Sequence, residues 1–118
     1  MVGLPFEEMR DVEAIVQLVK RLNALKKRKS RGRGGSQINV SAATFIPKPH
    51  TPFQWAPQDP EEQIELKQGI LRNGMRRKGV KLSWNNTENS LLEATLSRGD
   101  RRMGEVIYRA WKQGCRFD

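Results

Sequence analysis

The apolar residues of the first third of the chain recur at intervals of three and four, which predicts a helix from Phe6 to about Lys29. Acidic residues lie at the start of this segment and basic residues at its end, an arrangement that complements the helix dipole. The predicted buried face comprises Met9, Val12, Ile15, Val16, Val19 and Leu22.

Two other segments alternate in the manner of β-strands. Residues 37–46 have apolar side chains at even positions, and Ala43 and Phe45 make the odd face partly apolar, so we expect both faces to be covered. Residues 80–84 predict a shorter strand with one buried face. Residues 1–4 are too short to be assigned on their own.

A second helix is predicted from Asp59 to about Lys78. Asp59 is the expected N-cap, and Pro60 suits the first helical position. Gly69 and Gly74 lie inside this helix and each costs about 1 kcal/mol relative to alanine, so the helix requires packing. The apolar residues available for that packing are Ile64, Leu71 and Met75.

Two shorter helices follow the last strand. Residues 85–87 are expected to cap a helix over residues 88–97. Gly99 ends that helix, and Asp100 is the expected cap of the last one, which runs to Gly114. The last helix has an unbroken apolar stripe made of Met103, Val106, Ile107, Ala110 and Trp111.

When residues 1–4 are counted as a strand, the order is strand, helix, strand, helix, strand, helix, helix. Strands that alternate with helices of this length predict parallel pairing. The expected fold class is therefore α/β, a partial (β/α) barrel sector with about three short strands and four helices. Residues 30–36, rich in glycine, are predicted to form a flexible loop, and residues 47–58 a rigid loop held by four prolines.

Composition excludes several functional classes. The 118 residues suffice for a single domain. No apolar run approaches the roughly 18 residues that cross a membrane, and no signal peptide is recognisable, so we expect a cytoplasmic protein without a membrane partner. Cys115 and His50 are each unique, which excludes an internal disulfide, a four-ligand zinc site and an iron-sulfur site of three or four cysteines from this chain. We predict no catalytic residue and no metal ligand.

The chain is strongly basic, with 22 lysines and arginines against 13 acidic residues. Eight of the basic residues fall between Lys20 and Arg33, where there is no acid and no aromatic residue. Such a run suits a solvated helix end, and it also suits contacts to nucleic-acid phosphates. Both interpretations of the basic run, the solvated helix end and the phosphate-binding surface, stay open. The second makes a small basic nucleic-acid-binding module the alternative function.

The segment with the most chemical content follows the strand at residues 37–46. A buried parallel strand that releases a stiff loop at its carboxyl end has the layout of a ligand-binding edge in α/β proteins. The polar groups that this loop presents are Lys48, His50 and Thr51. We interpret Phe53 and Trp55 as apolar anchors of the loop rather than a stacking platform.

Two groups of residues resemble a known enzyme family. Val2-Gly3-Leu4-Pro5 with the acidic helix start is similar to the fifth strand and helix of radical SAM enzymes, and residues 38–55, ending in Phe45-Ile46-Pro47-Lys48-Pro49-His50-Thr51-Pro52-Phe53-Gln54-Trp55, resemble their sixth strand and loop. Three later segments are similar to a narrower group, Fe-S oxidoreductases of unassigned substrate with a neighbouring cobalamin-binding-like domain. They are Lys81-Leu82-Ser83-Trp84, Leu91-Leu92-Glu93-Ala94 and Ser97-Arg98-Gly99-Asp100-Arg101-Arg102-Met103-Gly104-Glu105-Val106-Ile107. The resemblance covers nearly the whole chain.

The resemblance implies a parent enzyme that cleaves S-adenosylmethionine reductively with a [4Fe-4S] cluster; whether cobalamin takes part is left open. By analogy, Gly3, Leu4 and Pro5 approach the nucleoside, and Lys48, His50 and Thr51 line the barrel mouth. The three-cysteine cluster motif of the family is missing, so no cofactor is expected in this chain. Residues 1–118 are therefore expected to be one carboxyl-terminal fragment, inactive alone, whose partners are the missing amino-terminal half and a second copy.

Overall fold

The computed structural model describes residues 1–29 and 37–116. The loop predicted at residues 30–36 lies outside the described residues. The elements are α1 (Met9–Lys29), β1 (Ile38–Ala42), α2 (Glu61–Met75), β2 (Val80–Trp84), α3 (Thr87–Arg98) and α4 (Met103–Lys112). This mixed α/β arrangement confirms the predicted class.

The sheet consists of β1 and β2, paired in parallel with Ile38 opposite Val80 and Ala42 opposite Trp84. Parallel pairing across α2 is what the alternation of strands and helices predicted. The expected first strand contributes only a parallel bridge between Val2 and Thr44, where the Val2 amide donates to the Ala43 carbonyl at 2.9 Å. The structure thus has two strands and a bridged segment within the described residues, rather than three strands.

One face of the sheet carries the core, which corrects the expectation that both faces are covered. The core is continuous from the first segment through α1 and α2, while Asn39 and Ser41 on the odd face of β1 and Lys81 and Ser83 on that of β2 are exposed. The apolar side chains at Ala43 and Phe45 lie beyond the paired part of β1. The buried residues of the core are Val2, Val12, Val16, Val19, Ala42, Leu71 and Met75.

The amino-terminal ends of three helices depart from the predicted ones. Helix α1 begins at Met9, because Phe6 adopts a φ of 65° that a helix does not permit. Helix α2 follows Pro60 and has no side-chain cap, since Asp59 makes a different contact described below. Asp100 does not cap α4 but closes the preceding turn, where it accepts from the Arg102 amide at 2.9 Å.

Helix α2 ends at Met75 rather than near Lys78, and α4 ends at Lys112 rather than Gly114, whereas the two predicted ends of α3 are confirmed. The Asn86 side chain caps α3 and accepts from the amides of Glu88 and Asn89, at 2.7 and 3.4 Å. Gly99 follows the last residue of α3 and donates its amide to Thr95. Both ends therefore depend on local chemistry that is legible in the sequence.

Strand β1 has a neighbour on each of its two sides. It pairs with β2 along its length, and its carboxyl end meets Val2 on the other side. Within the described residues, the edge that has no neighbouring strand along its whole length belongs to β2.

The two glycines inside α2 have different surroundings, although the sequence treats them alike. A Cβ on Gly74 would lie 2.5 Å from Cγ1 of Val16 and 2.8 Å from its Cγ2, and Val16 is buried. A Cβ on Gly69 would meet nothing within 4 Å. Gly74 therefore permits the close approach of α1 and α2.

We expect Gly69→Ala and Gly74→Ala to change stability in opposite directions. Gly69→Ala should raise the free energy of unfolding by up to about 1 kcal/mol, because alanine restricts the unfolded chain and favours helix. Gly74→Ala should lower it by about 1 kcal/mol or more, since overpacking costs about 1 to 3 kcal/mol and exceeds the same helix gain. Urea unfolding measures both. Equal stabilisation by the two variants would contradict the close contact at Val16.

Candidate functional site

The strand segments are parallel, so their carboxyl ends lie at the same end of the sheet, which we call the sheet edge. The buried lysine of α2 lies there. Lys67 is 4% exposed, and its Nζ lies 2.9 Å from Oε1 of Glu7 and 2.7 Å from Oδ2 of Asp59. The Glu7 carboxylate also accepts the Gly3 amide at 2.8 Å. Asp59 is thus an ion-pair partner of Lys67 and not the cap of α2.

The next residue of α2 connects the other two strand ends. The Nε2 atom of Gln68 donates to the Asn85 carbonyl, beyond β2, at 3.1 Å and lies 3.5 Å from the Thr44 hydroxyl, beyond β1. Lys67 and Gln68 therefore hold all three strand ends together. We refer to these side chains and their partners as the edge network: Gly3, Glu7, Thr44, Asp59, Lys67, Gln68 and Asn85.

Sequence reasoning missed Lys67 and Gln68. The only signal is their position: both fall on the face of α2 that Ile64, Leu71 and Met75 define, at helical spacing. A charged residue inside an apolar stripe indicates a buried ion pair, because an unpaired buried charge is too costly. The partners cannot be identified from spacing, since Glu7 is 60 residues away in the chain.

The electrostatics of Lys67 favour its charged form. Burial lowers the pKa of Lys67, but hydrogen bonds to Asp59 and Glu7 and the charges of both carboxylates outweigh that effect, so the pKa is raised above its ordinary value of 10.5. Lys67 is therefore a permanent cation at neutral pH. It acts as a tether rather than a proton donor.

The stability that Lys67 contributes should be lost only in strong alkali. A raised pKa means that the contribution is complete below the ordinary value of 10.5 and is lost as the pH rises from there through the raised value. From neutral pH upwards, the difference in free energy of unfolding between the wild type and Lys67→Met should be constant as far as that pH and then shrink. Urea unfolding along a pH series measures it. A difference that shrinks between neutral pH and 10 would contradict the raised pKa.

Of the residues predicted to approach a nucleoside, Gly3 is buried, while Leu4 and Pro5 are partly exposed. Gly3 has a φ of 85°, and a Cβ there would lie 3.3 Å from Oδ2 of Asp59. The backbone and the edge network thus account for glycine at this position. Phe6 follows with a positive φ and is 99% exposed, a strained aromatic residue that sequence reasoning placed inside α1.

The three polar residues of the proline-rich loop have different partners. Lys48 is held by α3, through Glu93 and through the Ser97 hydroxyl at 3.0 Å. The Thr51 hydroxyl donates to the Lys48 carbonyl at 2.7 Å. His50 is exposed at a φ of 61°, and its imidazole makes no hydrogen bond or ion pair with the described residues. The structure therefore places all three on the same sheet edge, but it does not join their side chains into one constellation.

The two aromatic residues of the loop behave differently from one another. Phe53 packs edge-on against the buried Phe45, with ring centroids 6.0 Å apart, which agrees with its interpretation as an anchor. Trp55 is 84% exposed, so the interpretation of Trp55 as an anchor is wrong. Phe53 nevertheless stays about half exposed, and the most exposed aromatic rings of these loops are Phe6 and Trp55.

Comparisons with known proteins give one relative. "Uncharacterized protein MJ0966" of Methanocaldococcus jannaschii is 25% identical over 107 residues. The match covers 91% of this chain and 22% of the relative, so the chain spans about a fifth of that protein's length. No protein-family model and no solved structure matches the chain.

The described residues do not suit an iron-sulfur cluster. They contain one cysteine, Cys115, which is exposed and follows α4, and no group of three histidine, cysteine or acidic residues that would hold a metal ion. A [4Fe-4S] cluster needs at least three thiolates from its protein. Among residues 1–29 and 37–116, none of the helices combines the length and apolar character needed to span a bilayer.

Proposed function

We propose that this chain is a carboxyl-terminal sector of the barrel of a radical SAM Fe-S oxidoreductase and that it is not catalytic alone. The observation that carries the proposal is the one-sided cover of the parallel sheet. In a (β/α) barrel the helices lie outside and the other face of each strand lines the interior. Helices α1 and α2 pack on one face here, and Asn39, Ser41, Lys81 and Ser83 on the other face are exposed.

The free side of β2 supports the same proposal. An edge strand presents unpaired backbone groups that invite pairing with another chain, and native proteins commonly shorten, charge or cover such edges. A neighbouring strand in a longer protein would cover it. The relative that matches this chain is several times longer, which agrees with a sector of a larger fold.

The placement of polar groups supports a ligand-binding role for the sheet edge. Barrel enzymes use the loops at the carboxyl ends of their strands. Leu4, Pro5, Lys48, His50 and Thr51 all lie in such loops, and α3 fixes the position of Lys48. In the proposed parent, Leu4 and Pro5 offer an apolar surface to the nucleoside, while His50 offers an imidazole to a substrate.

The cluster would have to come from a part of the parent that this chain does not contain, because Cys115 alone cannot hold it. The role of this sector is therefore to bind and orient. Within it, the edge network keeps the strand ends in register, and the rigid proline-rich loop presents Lys48, His50 and Thr51. Cobalamin use stays an expectation from the resemblance.

The coding sequence immediately upstream of Met1 tests the proposal. We expect the reading frame to continue into a segment with a Cys-x-x-x-Cys-x-x-Cys motif. A promoter and an in-frame stop codon directly before Met1 would contradict the proposal, as would an upstream segment without the motif.

A further inference from the structure

A cluster of basic residues lies on the amino-terminal side of β2, where the proposed function gives it no role. A cavity of about 700 Å³ lies there between the second half of α2 and β2. We call it the basic groove, because its charged and aromatic lining is Arg72, Arg76, Arg77, Lys78 and Trp84. Its apolar floor is formed by Met75, Val80 and Leu82.

Three cations of the basic groove have no ion-pair partner among the described residues. Arg76, Arg77 and Lys78 are exposed, and none of them forms an ion pair with a described residue. Three adjacent cations without ion-pair partners repel one another. A negatively charged partner would reduce this electrostatic repulsion.

The fold brings a second basic segment to the same place. The Nζ atom of Lys26 donates to the Gly79 carbonyl at 3.2 Å, which joins the end of α1 to the turn that enters β2. Lys27, Arg28 and Lys29 are exposed in the last turn of α1. Two basic runs that are about fifty residues apart in sequence therefore form one surface, which is the footprint expected for a polyanion.

The Trp84 end of the groove has an arginine–aromatic pair, which favours nucleic acid over polyanions that have no bases. The Arg72 guanidinium lies over the Trp84 ring, 5.6 Å from its centroid, and Trp84 is 42% exposed. A guanidinium and an indole held together in this way form a platform on which a base stacks. Glu65 and Glu88 lie near Trp84, so the phosphates are favoured at the Lys78 end and a base at the Trp84 end.

We propose that the basic groove binds single-stranded nucleic acid, with phosphates on Arg76, Arg77 and Lys78 and a base stacked at Arg72 and Trp84. The phosphate end of this site, at Arg76, Arg77 and Lys78, lies at the amino-terminal end of β2, whereas Trp84 is the last residue of β2 and directly precedes Asn85 of the edge network. The site depends on the cations of the α2–β2 turn as well as on the basic run of α1. It does not rest on the proposed radical SAM function.

Fluorescence anisotropy of a labelled oligouridylate of roughly 12 nucleotides, titrated with the 118-residue chain, tests this. The triple variant Arg76→Gln, Arg77→Gln, Lys78→Gln should weaken binding at least tenfold and reduce the slope of log affinity against log salt by about 2, at about 0.7 per lost phosphate contact. Trp84→Leu should weaken binding roughly tenfold and leave the salt slope unchanged.

The matched control is Arg98→Gln, Arg101→Gln, Arg116→Gln, which removes the same charge from exposed arginines outside the groove. It should retain binding within about threefold, which is the change expected from a small shift in net charge. Far-ultraviolet circular dichroism checks that every variant is folded.

Five results would overturn the proposal. The first four are the absence of binding near 50 mM salt, equal losses in the triple variant and its control, tighter binding of a duplex of the same sequence, and an unaltered affinity in Trp84→Leu. Equal competition by poly-glutamate or by anionic lipid vesicles would likewise show a general anion surface instead. None of these results bears on the iron-sulfur content of a longer chain, so failure here is distinguishable from failure of the proposed function.

Discussion

Lys67→Met should lower the free energy of unfolding by about 3 kcal/mol, a large fraction of the total stability of a domain of this size. The substitution keeps the length of the side chain but leaves the carboxylates of Glu7 and Asp59 without their cation. The Glu7 side chain is 7% exposed, so its charge cannot be solvated without opening the structure. Chemical denaturation with urea gives the value directly.

Lys48→Met is the matched control for Lys67→Met, because Lys48 also pairs with a glutamate. Both partners of that pair are more than two-fifths exposed, so its loss should cost less than about 1 kcal/mol. Combining Lys67→Met with Glu7→Gln and Asp59→Asn should recover most of the lost stability, since no buried charge then remains. Equal costs for the two lysine substitutions, or no recovery in the triple variant, would show that the edge network is not a buried ion-pair cluster.

The second large effect is expected in the oligomeric state: the isolated chain should self-associate at high concentration. None of the residues of α4 is buried, and Val106, Ile107 and Trp111 are all more than half exposed on this helix. An apolar stripe of this kind is adhesive unless a partner covers it. The rest of the proposed parent, which would cover this stripe, is not part of the 118-residue chain. A second copy of the chain is therefore the cover available in solution.

Light scattering measures this effect and separates its causes. Val106→Lys with Ile107→Lys should convert the associated species to a monomer. The matched control, Leu18→Lys with Leu22→Lys, changes two exposed apolar residues of α1 and should leave association intact. A wild-type chain that stays monomeric at millimolar concentration would contradict the expectation. A dimer that persists in the α4 variant would show that the interface is not α4 and would point to the open edge of β2.

Local patterns in the sequence predicted most of the secondary structure. The apolar spacing in α1 identified Val12, Val16 and Val19, which are buried, and the alternation in β2 gave its bounds without error. The Asn86 cap was legible because side-chain capping is a contact between near neighbours. Leu22 was placed on the same buried face of α1 but is 45% exposed, because Asn23 is the residue that faces inward at that turn.

The candidate site was less predictable, because its contacts join distant parts of the chain. Asp59 has the sequence context of a helix cap, yet the charge of Lys67 draws its carboxylate into the edge network. The sequence correctly predicted that α4 is a helix with an apolar stripe. The spacing of apolar residues does not show which part of the protein, or which partner, covers that stripe. Trp55 shows the same limit, since an aromatic residue between prolines is read equally well as an anchor or as an exposed ring.

Anaerobic reconstitution with iron and sulfide tests whether the chain is a sector of a radical SAM enzyme, when it is applied to the 118-residue chain and to the chain extended upstream in its reading frame. We predict no iron-sulfur chromophore in the 118-residue chain, whose single cysteine cannot hold a cluster, and one [4Fe-4S] cluster in the extended chain. A stoichiometric brown chromophore that co-purifies with the folded 118-residue chain, or an extended chain that assembles no cluster, would contradict it.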